Sequence, residues 1–169
     1  MKVVDLMTPN PFTCSVTETL EAAMRVMWEH DCGILPILDE HGAVVGMLTD
    51  RDVAVAAYTQ GRPLANISVT TAMSRRVCGV LVTDSIDRLE AVMSKARVRR
   101  VPVLNGAGQL EGVVSMNDLA RHVCTLPGGS GDGLRASSIV QTLAAISEPW
   151  EVRSEHRSEV DGSGIATEL

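Results

Sequence analysis

Apolar and polar positions follow a fixed order along this chain, and the order occurs twice. Leu20, Ala23, Met24 and Met27 stand at i, i+3, i+4 and i+7, the spacing of a helix that buries one face. An extended segment, 11–16, precedes that helix. Two apolar runs follow it, 34–38 and 43–48, separated by Asp39-Glu40-His41-Gly42, a turn composition that predicts a hairpin with a longer loop. A short helix over 50–58 closes the series. Further along, Ile86, Leu89, Val92, Met93 and Ala96 make the same helical stripe after an extended piece at 77–82. Val101-Pro102-Val103-Leu104, the turn Asn105-Gly106-Ala107-Gly108 and the run 109–114 make the same hairpin, and 116–124 the same closing helix. The pattern predicts β-α-β-β-α, twice. Thr17 or Thr19 is placed to cap the first long helix and Asp84 or Ser85 the second. Pro36 and Pro102 fall inside apolar runs, which predicts edge positions or strand starts.

Individual residues repeat with the pattern. Shifting 5–58 by 66 positions lays it on 71–124 without a gap. Met7 then meets Met73, Pro36 meets Pro102, Gly42 meets Gly108, Gly46 meets Gly112, Thr49 meets Ser115 and Asp52 meets Asp118. Periodic apolar residues recur in unrelated amphipathic units, but coincident Pro, Gly and hydroxyl-plus-acid positions require a true internal repeat. Two copies make a pseudo-symmetric pair with a cleft between its halves. The copies divide as 1–60 and 67–126, joined by a linker over 61–66 that contains Gly61-Arg62-Pro63. A Gly-rich connector, 127–134, leads to a helix over 135–147 whose Ile139, Leu143 and Ile146 form one stripe for docking. The stretch 148–169 is polar and reads as a disordered tail.

Composition narrows the choices. The chain has 169 residues, is 45% hydrophobic and only 2% aromatic, so its core must be aliphatic and rich in methionine. A net charge of −6 argues against broad nucleic-acid binding, which needs a basic face. Cys14, Cys32, Cys78 and Cys124 contain no C-x-x-C pair and read as reduced, mostly buried thiols rather than zinc ligands. His30, His41, His122 and His156 are unpaired in sequence and are assigned no metal or catalytic role. With no apolar leader and no apolar stretch near ~20 residues, the expectation is a cytoplasmic protein off the membrane.

The strongest local signal is Gly46-Met47-Leu48-Thr49-Asp50-Arg51-Asp52, echoed by Gly112-Val113-Val114-Ser115-Met116-Asn117-Asp118. In each a strand runs into a helix at a hydroxyl-x-x-Asp junction. One reading is a capping box, the hydroxyl capping the helix and the acid bonding back. The other is a ligand site: a helix N-terminus offers N–H groups to a phosphate, and an acid one turn in accepts ribose hydroxyls. The two are compatible.

The duplicated Met-Thr/Ser, the Leu-Pro-Ile and Val-Pro-Val strands and the Gly-h-h-Thr/Ser-x-x-Asp junctions together resemble the CBS (cystathionine-β-synthase) domain motif. Two in tandem resemble a Bateman module, over about residues 3–126. The resemblance implies an α/β (α+β) fold: two pseudo-symmetric motifs, small three-stranded sheets packed face to face, helices outside and two clefts. Such clefts commonly take AMP, ADP, ATP or S-adenosylmethionine, with no covalent cofactor. Carried onto this sequence, Asp52 and Asp118 become ribose ligands and Thr49 and Ser115 phosphate-contacting hydroxyls. Thr13, Cys14, Gly79 and Val80 would offer backbone groups to adenine, and Arg51 would add a phosphate contact. Arg99 and Arg100 would clamp phosphates in the Thr49/Asp52 cleft, while Gly33 and Ile34 at the matching positions leave the Ser115/Asp118 cleft without a clamp. Arg75 and Arg76 read as solvated. Nothing matches a nucleophile elbow, a P-loop or an acid–base carboxylate pair, so the chain reads as no enzyme. The expectation is a stand-alone regulatory module, homodimeric, acting on a partner protein in trans. The competing expectation is a ligand-free homodimeric scaffold whose hydroxyl–acid pairs are caps alone.

Overall fold

The computed structural model describes residues 1–126, 128, 130–131 and 134–148; the predicted tail from 149 onward and parts of the Gly-rich connector lie outside the described residues. The first copy contributes β2 (Cys14–Ser15), α1 (Leu20–Glu29), β3 (Ile34–Leu38), β4 (Val44–Thr49) and α2 (Asp50–Gln60), after a short β1 (Thr8–Pro9). The second contributes β5 (Val80–Leu81), α3 (Ile86–Ala96), β6 (Arg100–Leu104), β7 (Leu110–Ser115) and α4 (Met116–Thr125). A small hairpin, β8 (Ser130–Gly131) and β9 (Leu134–Arg135), then leads into α5 (Ala136–Ser147). One sheet runs β2-β3-β4 and the other β1-β7-β6-β5. The second sheet thus has four strands where three were expected, because the chain start pairs antiparallel to β7, Thr8 opposite Val113.

That pairing belongs to an exchange of lead-in segments. Val3 is fully buried in the core of the second copy, with Val80, Leu89, Met93 and Leu119. Ile67, Val69 and Met73, from the start of the second copy, are buried in the core of the first, with Leu20, Leu35 and Leu48. Ser74 and Met47 exchange backbone hydrogen bonds of 2.9 and 3.0 Å. The repeated Met and Gly are one contact made twice across this exchange. A methyl group on Gly46 would stand 2.6 Å from Met73 Sδ, and one on Gly112 2.7 Å from Met7 Sδ and 2.9 Å from the Thr8 carbonyl oxygen. The hairpin turns need glycine for another reason: Gly42 and Gly108 have φ of 78° and 79°, where a Cβ is strained.

Pro36 and Pro102 sit in β3 and β6, which are central strands and not edges as expected. The tolerance is local. Their neighbours β2 and β5 are two residues long, and pairing starts one residue later, at Cys14↔Ile37 and Val80↔Val103. The missing N–H therefore takes no bond from a ladder.

Thr19 and Ser85 are the residues that cap α1 and α3, accepting from Ala22 N and Arg88 N at 3.3 Å. The helix after the connector docks on the second copy, against α3 and α4. Its buried stripe is turned from the expected one: Ile139 and Thr142 are buried and Ile146 packs on the core, while Leu143 is 43% exposed. In this orientation Ser138 Oγ lies 2.9 Å from the buried Glu90 carboxylate and within hydrogen-bonding distance of it. Of the cysteines only Cys14 is buried, and Cys124, on the outer side of α4, is exposed.

Candidate functional site

Both junctions form closed capping boxes. Thr49 Oγ1 accepts from the Asp52 N–H at 3.2 Å, and Asp52 Oδ2 accepts from the Thr49 N–H at 2.9 Å and its hydroxyl at 2.6 Å. Ser115 and Asp118 repeat this at 3.3, 2.8 and 2.6 Å. The hydroxyl protons are thereby committed to the carboxylates, so neither Thr49 nor Ser115 has a proton to give a phosphate as it stands. The carboxylates differ in their other oxygen. Asp118 Oδ1 accepts from Arg121 Nη2, whereas Asp52 Oδ1 takes no bond among the described residues.

Each junction borders a cavity lined by strands of both sheets. The first holds about 510 Å³, within the ~300–1,000 Å³ of small-molecule sites. Thr49, Asp52 and Asp50 stand on one side, with Ile34, Met47, Val98 and Pro102 as apolar walls. Arg51, Arg76, Arg97, Arg99 and Arg100 are among its lining residues, and Arg97 is paired with Glu148. The second cavity, about 270 Å³, falls below that range and is lined by Ser115, Asp118, Phe12, Cys32, Val113 and Arg121 among others. Arg100 lines it too, beside Gly33 and Ile34, the positions expected to leave this cleft without a clamp of its own. Burial pushes the Cys32 thiol up, and the nearby Arg100 charge works against that rise. Phe12 stacks flat on His30, ring centroids 3.7 Å apart.

Of the expected site residues, the structure brings Thr49, Arg51, Asp52, Arg99 and Arg100 together in the first cavity and Ser115 and Asp118 in the second. Thr13, Cys14, Gly79 and Val80 line neither. Cys14 and Val80 point into the two cores, and burial, aided by the Glu18 charge, raises the Cys14 thiol to about 11. Thr13 instead borders a depression of about 460 Å³ between the hairpin tips, with Leu38 and Glu111 but no basic residue. Sequence reasoning missed Cys78, which enters the first cavity because the lead-in segment crosses to the other copy; Arg76, read as solvated, is exposed and lines the cavity as well. Sequence reasoning also missed Ile146, which α5 brings to the rim, where Arg97 pairs with Glu148 at 2.8 Å. The signal for the crossing was present in the Met–Gly coincidence of the repeat.

The CBS domain model matches twice, at residues 3–58 and 68–124. The chain belongs to the CBS domain family. This CBS pair is 34% identical over 137 residues to Hypoxic response protein 1 of Mycobacterium tuberculosis, covering 81% of this chain and 87% of that protein. The solved structure of Hypoxic Response Protein I with two coordinated zinc ions superimposes with a TM-score of 0.66 at 34% identity, over 75% of this chain and 100% of that one. The CBS domain pair of protein MJ0100, solved in complex with 5′-methylthioadenosine and S-adenosyl-L-methionine, does so at 0.65 and 27% identity, over 72% of this chain and 94% of that one. Among the described residues of the present CBS pair, no three His, Cys, Asp or Glu side chains converge as a metal site requires, and no helix is long and apolar enough to cross a membrane.

Proposed function

We propose that this CBS pair is a regulatory module that binds an adenine nucleotide in the Thr49/Asp52 cavity and signals through a partner protein in the cytoplasm. The observation that carries the reading is Asp52: it completes a helix cap with one carboxylate oxygen, its other oxygen is unbonded among the described residues, and the residue lines a cavity that five arginines also line. A nucleotide has three parts, and the cavity has a counterpart for each. The apolar walls suit a base, Asp52 Oδ1 suits a ribose hydroxyl, and the arginines suit phosphates. Since the Thr49 proton is given to Asp52, phosphate recognition falls to the arginines. Their charge also favours AMP, ADP or ATP over the cationic S-adenosylmethionine. The related pair crystallised with two adenosyl compounds supports the class of ligand.

We also propose a homodimer, joined through the outer face of α1 and α2. Trp28 is 83% exposed there and Tyr58 89%. The matching positions of the second copy, on α3 and α4, hold Ser94 and Cys124, and α5 docks on those two helices. One face is thus covered by the chain itself, and the apolar one is left for a second molecule.

Thermal shift tests the nucleotide reading. A ligand at 100 times its Kd adds about 2.7 kcal/mol, which raises the melting point of a domain this size by several degrees. AMP, ADP or ATP should do so, and S-adenosylmethionine and NAD serve as comparisons. If no adenosyl compound at millimolar concentration moves the midpoint, the closed capping boxes are structural only and the scaffold reading takes over.

A further inference from the structure

We propose that the two clefts share one phosphate clamp, Arg100, so that filling one with a phosphorylated ligand weakens the other. The proposal rests on the nucleotide reading above and adds a rule for its stoichiometry. Arg100 lines both cavities. It opens β6 directly opposite Ser115, the hydroxyl of the second cleft, while belonging by position to the first. Its guanidinium is half-buried and makes no hydrogen bond or ion pair among the described residues, so its five donors are uncommitted. Gly33 lies beside the guanidinium, between it and Asp50. A methyl group there would stand 3.2 Å from Asp50 Oδ2 and 3.7 Å from Arg100 Nη2.

Repeat position decides why sharing falls on this residue. Gly33 and Ile34 occupy the places of Arg99 and Arg100, so the first copy sends no cation of its own toward the second cleft. The other arginine there, Arg121, is engaged by Asp118. A planar guanidinium grips one phosphate with two parallel bonds and cannot hold two such groups in separate cavities. Whichever cleft fills first takes the clamp. The second phosphate then meets both a missing arginine and the charge of the first.

Calorimetry with ATP and with adenosine on the full chain tests this. In the wild type the second ATP should bind at least about tenfold more weakly than the first. Asp52→Ala weakens the first cleft and so leaves Arg100 to the second, which should then bind ATP about tenfold more tightly than the second step of the wild type. Asp52→Asn, whose amide oxygen can still accept from the Thr49 N–H, repeats the measurement with the cap retained. Adding Arg100→Ala to either variant should abolish the gain. Adenosine should show no gain in any of them. Two ATP sites whose second step is unchanged by Asp52→Ala and Asp52→Asn would overturn the sharing and leave the nucleotide reading intact. No binding of ATP or adenosine to the wild type would remove both.

Discussion

Asp52 and Asp118 sit at equivalent points of the two copies and close equivalent capping boxes, yet their second oxygens differ. That of Asp118 is taken by Arg121 and that of Asp52 is unbonded among the described residues, and the cavity lined by Asp52 is nearly twice as large. The outer faces differ in the same manner. Met24, Val55 and Tyr58 of the first copy stand where the second has Glu90, Arg121 and Cys124. Glu90 receives Ser138 of α5, while Trp28 and Tyr58 face solvent. The lesson is that the backbone of a repeat and its chemistry are fixed by different residues. Met–Gly contacts, strand prolines and hydroxyl–acid caps build the same frame twice, and residues beside them decide which cleft binds more tightly and which face docks.

The largest effect that sharpens the comparison is on folding. Gly112→Ala puts a methyl group 2.9 Å from a backbone carbonyl, which cannot yield, and should cost about 1–3 kcal/mol. Gly46→Ala meets mainly the flexible end of Met73, its nearest backbone atom being 3.2 Å away, and should cost less. Urea midpoints compare the two; a larger loss from Gly46→Ala would break the account of the crossing segments. Next in size is Arg99→Ala, which should weaken ATP by about tenfold or more, since a bond from a charged donor contributes ~1.5–3 kcal/mol. Adenosine should bind the variant as it binds the wild type, and equal losses for both would show that Arg99 does not reach phosphate.

Assembly separates the outer faces. Trp28→Glu should convert the dimer to a monomer at tens of micromolar protein, read by light scattering, and a wild type that is itself monomeric there would contradict the docking face. A smaller effect follows from Glu90. Burial raises its carboxyl above the ordinary value, against the Ser138 hydrogen bond, and the Asp87 charge adds to the rise. The folded state therefore holds this proton more tightly than the unfolded one. The stability Glu90 contributes is present at low pH and is lost as pH rises from the usual glutamate range through the raised value. Glu90→Gln should melt above the wild type at pH 7 and converge with it near pH 4. The smallest effect is chemical: alkylation should reach exposed Cys124 first and Cys14, buried and raised to about 11, last.

Much of this was legible in the sequence because it is local. The 3.6 and 2.0 periods placed every long element, and the hydroxyl-x-x-Asp spacing placed both caps. What was not legible depends on tertiary crossing. The register of Thr13 and Val80 places them away from the cavities, because β2 and β5 turn those residues toward cores or hairpin tips. Arg76 and Cys78 reach the first cavity only because the segment before β5 passes under the opposite copy. Thr142 takes the place of Leu143 in the buried stripe of α5 because the helix packs against α3 and α4, and periodicity within one helix does not encode which neighbours it meets.

Calorimetric titration of ATP into the wild type, Asp52→Ala and Asp118→Ala tests the central claim most directly. Asp52→Ala should weaken the tightest site by at least about tenfold, as loss of a hydrogen bond to a charged group implies, while Asp118→Ala should change it by less than about threefold. If Asp118→Ala abolishes the tight site and Asp52→Ala leaves it intact, the nucleotide occupies the other cleft and the account given for Asp52 is wrong.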